Sequence, residues 1–368
     1  MGCQRSILAV PCGMACLPGS LSNRSTVYKV SYKEIFQGCV TNWNTLAKPL
    51  HSLGLLEDLI AKIAASQGIA RPYISERTVL VFCADNGVVE EGVSQSDHTV
   101  TTAVATSMAS GLSNVNLMAR EANAHVEVYD VGMIDDVPGI HQCKVCHGTK
   151  NFTKEPAMTR EETLAAMEAG RKAAEKAKLD GNGIVVMGEM GIGNTTTAAA
   201  VLSVLLGEKP EILCGRGSGL SDTGLARKIE AVKKGININQ PDPADPVDVL
   251  SKLGGADIAA MCGVLQAAPK LHLPVVLDGL ISLAAALAAC SIDKQTKDYM
   301  IPSHMGREPG CQLALEALGL RAPIAADLAL GEGTGGVLLL PMLDMALAVY
   351  NSTHSFDSIG IEPYKEQQ

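Results

Sequence analysis

The sequence predicts an α/β protein: an open, mainly parallel sheet with helices on both faces, plus a small helical subdomain built from the chain ends. Three observations carry this. Short β-branched apolar runs alternate with longer stretches of helical periodicity, the pattern of strands buried in a parallel sheet between covering helices. The apolar runs end repeatedly in an acid beside a glycine. No internal repeat, low-complexity tract or Pro/Ser-rich linker divides the chain into independent domains.

Taken in order, residues 1–25 form a leader expected to be disordered or loosely attached. Within it MGCQRS fits the myristoylation pattern and ILAVPCGMAC is an imperfect signal-like stretch, both short enough to match by chance. Residues 26–75, rich in helix formers and polar turns, supply the first half of the helical subdomain. Residues 76–333 form the α/β domain, with TVLVFCAD, AHVEVYDVG, NGIVVMGE and LPVVLDG as its strands. Between and after these lie SMASGLSNVNLMAREA, REETLAAMEAGRKAAEKAK, TTTAAAVLSVLL, DTGLARKIEAVKK and DIAAMCGVLQAA, which carry apolar residues at helical spacing. Residues 334–368, beginning with a helix to about Asn351, close the subdomain, and the whole reads as Rossmann-like.

With 39 acidic against 30 basic residues and 3% aromatic content, the chain lacks the footprint of a nucleic-acid binder. No apolar run reaches the ~18 residues of a membrane span. Eleven cysteines without framework spacing suggest reduced thiols and a cytoplasmic protein. The cluster CKVCH (Cys143, Cys146, His147, beside His141) has the form of a haem attachment site, but neither an export signal nor a second ligand pair accompanies it. It reads as loop chemistry, with weak metal binding as the lesser alternative.

The acid–glycine pairs are Asp85 with Gly87, Asp130 with Gly132, Gly188 with Glu189 and Asp278 with Gly279. Each alone is ordinary turn chemistry. Four together mark the crevice beyond the carboxyl ends of the strands, where ligands bind. In GEMGIGNTT a strand ending at Met187 and a helix starting near Thr195 place Gly191, Gly193 and Asn194 at a helix N-terminus, which attracts phosphate. A tight turn capped by Asn194 or Thr195 is the competing reading. LGEGTGG repeats the arrangement around Glu332, and two glycine-flanked glutamates at the sheet mouth suit a phosphate held near a carboxylate base. GRGSGLSDTGLARK adds Gly217, Ser218 and Gly219 before a helix with Arg227 and Lys228, cations that reach a phosphate or line a solvated face. PSHMGREPG supplies Ser303, His304 and Arg307.

These stretches, in order, resemble the nicotinate-nucleotide:dimethylbenzimidazole phosphoribosyltransferase family. The resemblance runs from KPLHSLGLLE through ADNGVVEEGVS, VYDVG, GTKNFTKEPAMT, GEMGIGNTT, GRGSG, LGGADIAAM, VLDG and SHMGREPG to LGEGTGGVLLLPMLD, over roughly residues 45–350. It implies transfer of 5-phosphoribosyl from nicotinate mononucleotide to an aromatic base, with release of nicotinate and inversion from β to α, for cobamide biosynthesis. It implies Glu332 as general base, with Glu189 in the same site. Gly191, Gly217 and Lys228 fall at positions associated with the mononucleotide, and Gly306 joins them. Asp85, Asn86, Gln95, Ala103 and Leu330 are expected around the acceptor base. The resemblance implies no cofactor and no metal, and a homodimer; the alternative is a homologous subunit of a heteromeric enzyme.

Several positions depart from the family pattern: Asn86 stands in ADNG for histidine, Cys311 in EPGC for histidine, and KPLHSLG replaces KPPGSLG. In the acceptor pocket Gln95 replaces a serine and Ala103 a glutamine. Losing one amide and moving another changes which ring edge is satisfied, so an acceptor other than dimethylbenzimidazole, such as a phenol or cresol, is the working hypothesis.

Overall fold

A computed structural model describes residues 31–365; the leader expected over 1–25 lies outside the described residues. Ser31 caps α1 (Tyr32–Thr45) in a reciprocal box with Glu34, and α2 (Leu55–Gln67) follows. The chain then alternates: β1 (Arg77–Ala84), α3 (His98–Ala109), α4 (Asn114–Glu121), β2 (His125–Gly132), the short β3 (His141–Gln142), α5 (Arg160–Leu179) and β4 (Ile184–Met190). Next come α6 (Asn194–Leu206), α7 (Pro210–Leu213), α8 (Asp222–Asn239), α9 (Pro246–Leu253), α10 (Ala256–Leu271), β5 (Val275–Leu277), α11 (Leu280–Ile292) and β6 (Met300–Pro302). The chain ends with β7 (His304–Met305), α12 (Gly310–Leu318), β8 (Ile324–Ala325), α13 (Thr334–Tyr350) and α14 (Phe356–Ile359).

Strands β1 to β6 form one parallel sheet in the order β3-β2-β1-β4-β5-β6, and β7 pairs with β8 beside it. This is the doubly wound order: the chain builds outward from β1 to one side, then crosses back to β4 and builds to the other. The crevice therefore opens at the carboxyl ends of the paired β1 and β4, where their connections leave in opposite directions. All eight residues of β1 are buried, with Leu80 and Phe82 on one face and Val79 and Val81 on the other. The first face packs under α5, α6, α10 and α11. The second packs under α2 and α13, with Trp43 of α1 edge-on to Tyr350 of α13 at 5.0 Å between ring centroids.

Two expectations are corrected. The stretch 107–122, read as one helix, is broken: Gly111 takes φ +72° and Ser113 caps a new helix, its hydroxyl accepting from the Asn116 N–H. The strand expected to stop at Met187 continues to Met190, so Glu189 belongs to the sheet and not to the turn.

Candidate active site

Beyond the ends of β1, β4 and β5 lies a cavity of ≈ 280 Å³, bounded by the loops before α6, α8, α11, α12 and α13. One wall is acidic. Glu189, next to last in β4, points its carboxylate at Asn194, whose Nδ2 donates to it and also to Asp257 Oδ2 at 3.2 Å. Thus Asn194 does not cap α6. Gly193 at φ +94° occupies the cap position without a side chain, and the amide of Asn194 is spent on holding two carboxylates in register. Burial pushes the Glu189 carboxyl up to about 8, with repulsion from Asp257 and Asp278 adding to the rise. Burial likewise lifts Asp257 to about 6.

Glu332 faces the same space from the loop before α13. It sits at φ +61°, a left-handed conformation that costs a side-chain-bearing residue about 1–3 kcal/mol, the kind of strain that collects at functional sites. Its neighbours fix it there. The Glu332 N–H donates to the Glu189 carboxylate, and Glu332 Oε2 accepts from the Val115 N–H of α4 at 3.2 Å. Burial raises the Glu332 carboxyl above the ordinary glutamate range, opposed by the donors at the α4 N-terminus. Behind it, Asp278 accepts from the Gly333 and Gly336 N–H groups at 3.3 and 3.1 Å, pinning the start of α13. His304 lines the cavity beside Asp278, its Nδ1 2.9 Å from Ser303 Oγ and 3.9 Å from Asp278 Oδ1.

The opposite wall carries glycine-loop backbone and cationic side chains. Gly217 and Ser218 line it together with Arg216, Thr195 and Gly306. Beneath them Lys228 is fully buried, its Nζ donating to Thr195 Oγ1 at 2.9 Å and to the Gly215 carbonyl at 3.0 Å. A lysine carried on the inner face of α8 is no solvated cation; burial lowers its pKa, and the Glu308 carboxylate offsets that. Gly217 takes φ +53°, and its N–H donates to Glu308 Oε1 at 2.9 Å on the cavity wall. Gly191 lines the cavity, and packing also requires it to be glycine. A Cβ there would sit 2.4 Å from the Ala84 carbonyl and 3.0 Å from Asp257 Oδ2, so the residue closes β1 against β4.

The family described as Phosphoribosyltransferase (DBI_PRT) matches residues 30–361. The nicotinate-nucleotide–dimethylbenzimidazole phosphoribosyltransferase of Ruminiclostridium cellulolyticum is 42% identical over 90% of this chain and 95% of its own length. Its counterpart in Acetivibrio thermocellus is also 42% identical, over 91% of this chain and 96% of its own. The crystal structure of CobT from Thermus thermophilus matches with a TM-score of 0.85 and 39% identity, across 89% of this chain and 99% of that one. This chain belongs to the nicotinate-nucleotide–dimethylbenzimidazole phosphoribosyltransferase family.

It is accordingly a phosphoribosyltransferase, and its sheet and helices are those of the family's solved structures. Of the residues singled out in the sequence, Glu189, Gly191, Gly193, Asn194, Gly217, Ser218, Gly306, Leu330 and Glu332 line the cavity, and Lys228 lies behind its wall. The positions read as an acceptor pocket divide. Leu330 lines the cavity and is half exposed. Asp85 is buried under the loop after β2, accepting from the Ile134 N–H at 2.8 Å, and Asn86 donates to the Ile192 carbonyl at 3.3 Å; both brace the site's floor outside the cavity lining. Gln95 is exposed and donates to the Gly219 carbonyl, tying its loop to the glycine loop before α8, and Ala103 points outward from α3. Their neighbours Ser94 and Val104 face the cavity instead.

Asp257, Asp278, His304 and Glu308 complete the site. In the sequence Asp278 signals itself only as a strand-end acid and His304 only as part of a polar loop. The Cys143–His147 stretch lies against the end of β2, Lys144 reaching Asp130 at 3.3 Å; among the described residues no group of three metal-ligating side chains forms.

Proposed function

We propose that this enzyme transfers the 5-phosphoribosyl group of nicotinate mononucleotide to an aromatic lower-ligand base, releasing nicotinate and forming an α-ribotide for cobamide biosynthesis. The observation that carries this reading is the placement of two buried carboxylates, Glu189 and Glu332, across one cavity from an anion cradle made of the Gly217 loop, the start of α6 and Lys228. The phosphate is anchored in the cradle by backbone N–H groups and the buried ammonium. That anchor fixes the ribose between the walls, which converts the displacement into an oriented, effectively unimolecular step.

In that step a ring nitrogen or phenolic hydroxyl oxygen of the acceptor donates its electron pair to C1′ of the ribose. The C1′–N bond to the pyridinium breaks, and its pair leaves with nicotinate. Attack from the face opposite the leaving ring inverts the anomeric centre. The acceptor's proton passes to Glu332, whose raised basicity suits the task, while Glu189, its carboxyl lifted to about 8 by burial, stands beside it as a neutral neighbour that does not repel the incoming phosphate. Gln95 and Ala103 shape the acceptor side through the adjoining Ser94 and Val104, so a base other than dimethylbenzimidazole, including a phenol, is accepted. Two chains associate: Leu112 just before α4, Leu117 of α4, and Leu338 and Met345 of α13 stand exposed around two packed neighbouring helices, an apolar face suited to a second copy.

The test is to incubate purified protein with nicotinate mononucleotide and a panel of benzimidazoles, purines and phenols while following nicotinate release. Release is expected with at least one class of ring, and Glu332→Gln is expected to lose about 10²–10⁴-fold in kcat. Release confined to benzimidazoles would reject the phenol specificity, and wild-type rates in Glu332→Gln would reject the base.

A further inference from the structure

The anion cradle already contains an anion supplied by the protein. Glu308, in the loop between β7 and α12, lays its carboxylate on the glycine loop, with Oε1 accepting from the Gly217 N–H at 2.9 Å. Its other oxygen, Oε2, is shut off from solvent and has no hydrogen-bond partner. A carboxylate oxygen left this way carries its full desolvation cost, so the arrangement is not one a purely structural brace favours. The fit is nonetheless close. A Cβ on Gly215 would fall 2.1 Å from Oε2 and 2.7 Å from Oε1, so this glycine leaves space that the carboxylate fills. Lys228 completes the picture: it is fully buried, donates to two neutral oxygens, and has Glu308 as the foremost carboxylate offsetting its burial.

We propose that Glu308 is a resident anion that holds the phosphate seat of the unliganded enzyme and must leave it when a phosphomonoester arrives. The inference rests on the reading that the Gly217 loop and Lys228 receive the phosphate. A phosphate dianion and a carboxylate cannot share one backbone donor at hydrogen-bonding distance without strong repulsion. The phosphate wins the exchange because it offers more acceptor oxygens and twice the charge to the same donors. Glu308 therefore keeps a buried ammonium compensated while the site is empty, and screens the seat against weakly bound monoanions. It is a specificity-setting residue and takes no part in bond making.

The experiment measures inorganic phosphate binding by calorimetry to the full-length wild type, Glu308→Gln, Glu308→Asp and Lys228→Met, with melting curves in the presence and absence of phosphate. Glu308→Gln keeps the acceptor for Gly217 and removes the competing charge. It is expected to bind phosphate about tenfold more tightly than wild type, to melt lower without phosphate, and to regain more on adding it. Its KM for nicotinate mononucleotide should fall in the same sense. Glu308→Asp, which retracts the charge by one methylene, should lie between the two and serves where the Gln variant does not fold. Equal or weaker phosphate affinity in the position-308 variants would overturn the inference alone, provided Lys228→Met abolishes binding. Undiminished binding in Lys228→Met would overturn the phosphate assignment and the inference with it.

Discussion

At the level of single residues the site is organised by the cost of crowding carboxylates out of water. Glu189, Asp257 and Asp278 are all buried, and the first two are pushed up to about 8 and about 6. An acid that holds its proton more tightly folded than unfolded contributes stability at low pH and loses it as the pH rises toward the folded value. For Glu189 that window runs from its ordinary 4.5 to about 8. Glu189→Gln is therefore expected to melt increasingly above wild type as pH rises through this interval, reaching ~2–4 °C or more at the upper end. A difference that stays constant with pH would mean the carboxylate is already solvated. Glu189 and Glu332 were legible in the sequence because each is an acid flanked by glycines at the end of an apolar run. Asp257 and Glu308 were not, since nothing local distinguishes Asp257 from a first-turn helix acid or Glu308 from a turn residue before a proline. Only the fold brings one against Asn194 and the other against Gly217.

Among elements, the long ones were legible and their breaks were not. Periodicity located α5, α6, α8, α10 and α13 to within a few residues at most of their starts, because each carries an apolar stripe over several turns. The break between α3 and α4 was missed, although Gly111 and Ser113 spell a stop and a cap, and that break creates the N-terminus whose Val115 N–H holds Glu332. The strands β3, β6, β7 and β8, of two or three residues each, carry too little pattern to be read. Helices α5 and α10 show how closely elements must approach to cover β1 and β2. A Cβ on Gly170 would lie 1.8 Å from the Ala260 carbonyl oxygen, and one on Gly263 1.8 Å from that of Met167. The two glycines are reciprocal, each opening room for the other helix's backbone. Gly170→Ala is expected to destabilise the protein by at least ~1–3 kcal/mol, measured by urea unfolding. An unchanged midpoint would show that the helices separate freely.

For the whole molecule, the sheet order places the cavity: chain connections leave β1 and β4 in opposite directions, and the loops before α6, α8 and α13 line the space beyond their carboxyl ends, where the proposed phosphate cradle and base lie. The apolar face on α4 and α13 belongs to this scale, as α4 also holds Glu332. Native mass measurement should give twice the mass of one chain, and Met345→Lys should shift it toward one; a wild-type mass of one chain would leave that face without the expected partner. On the proposed reading, one wall of the cavity anchors phosphate while the other presents a base to the sugar. A crystal structure with bound nicotinate mononucleotide tests it most directly. The phosphate is expected within hydrogen-bonding distance of the Gly217 N–H and beside Lys228, with Glu308 turned away and C1′ facing Glu189 and Glu332. A phosphate seated elsewhere, with C1′ remote from both glutamates, would contradict it.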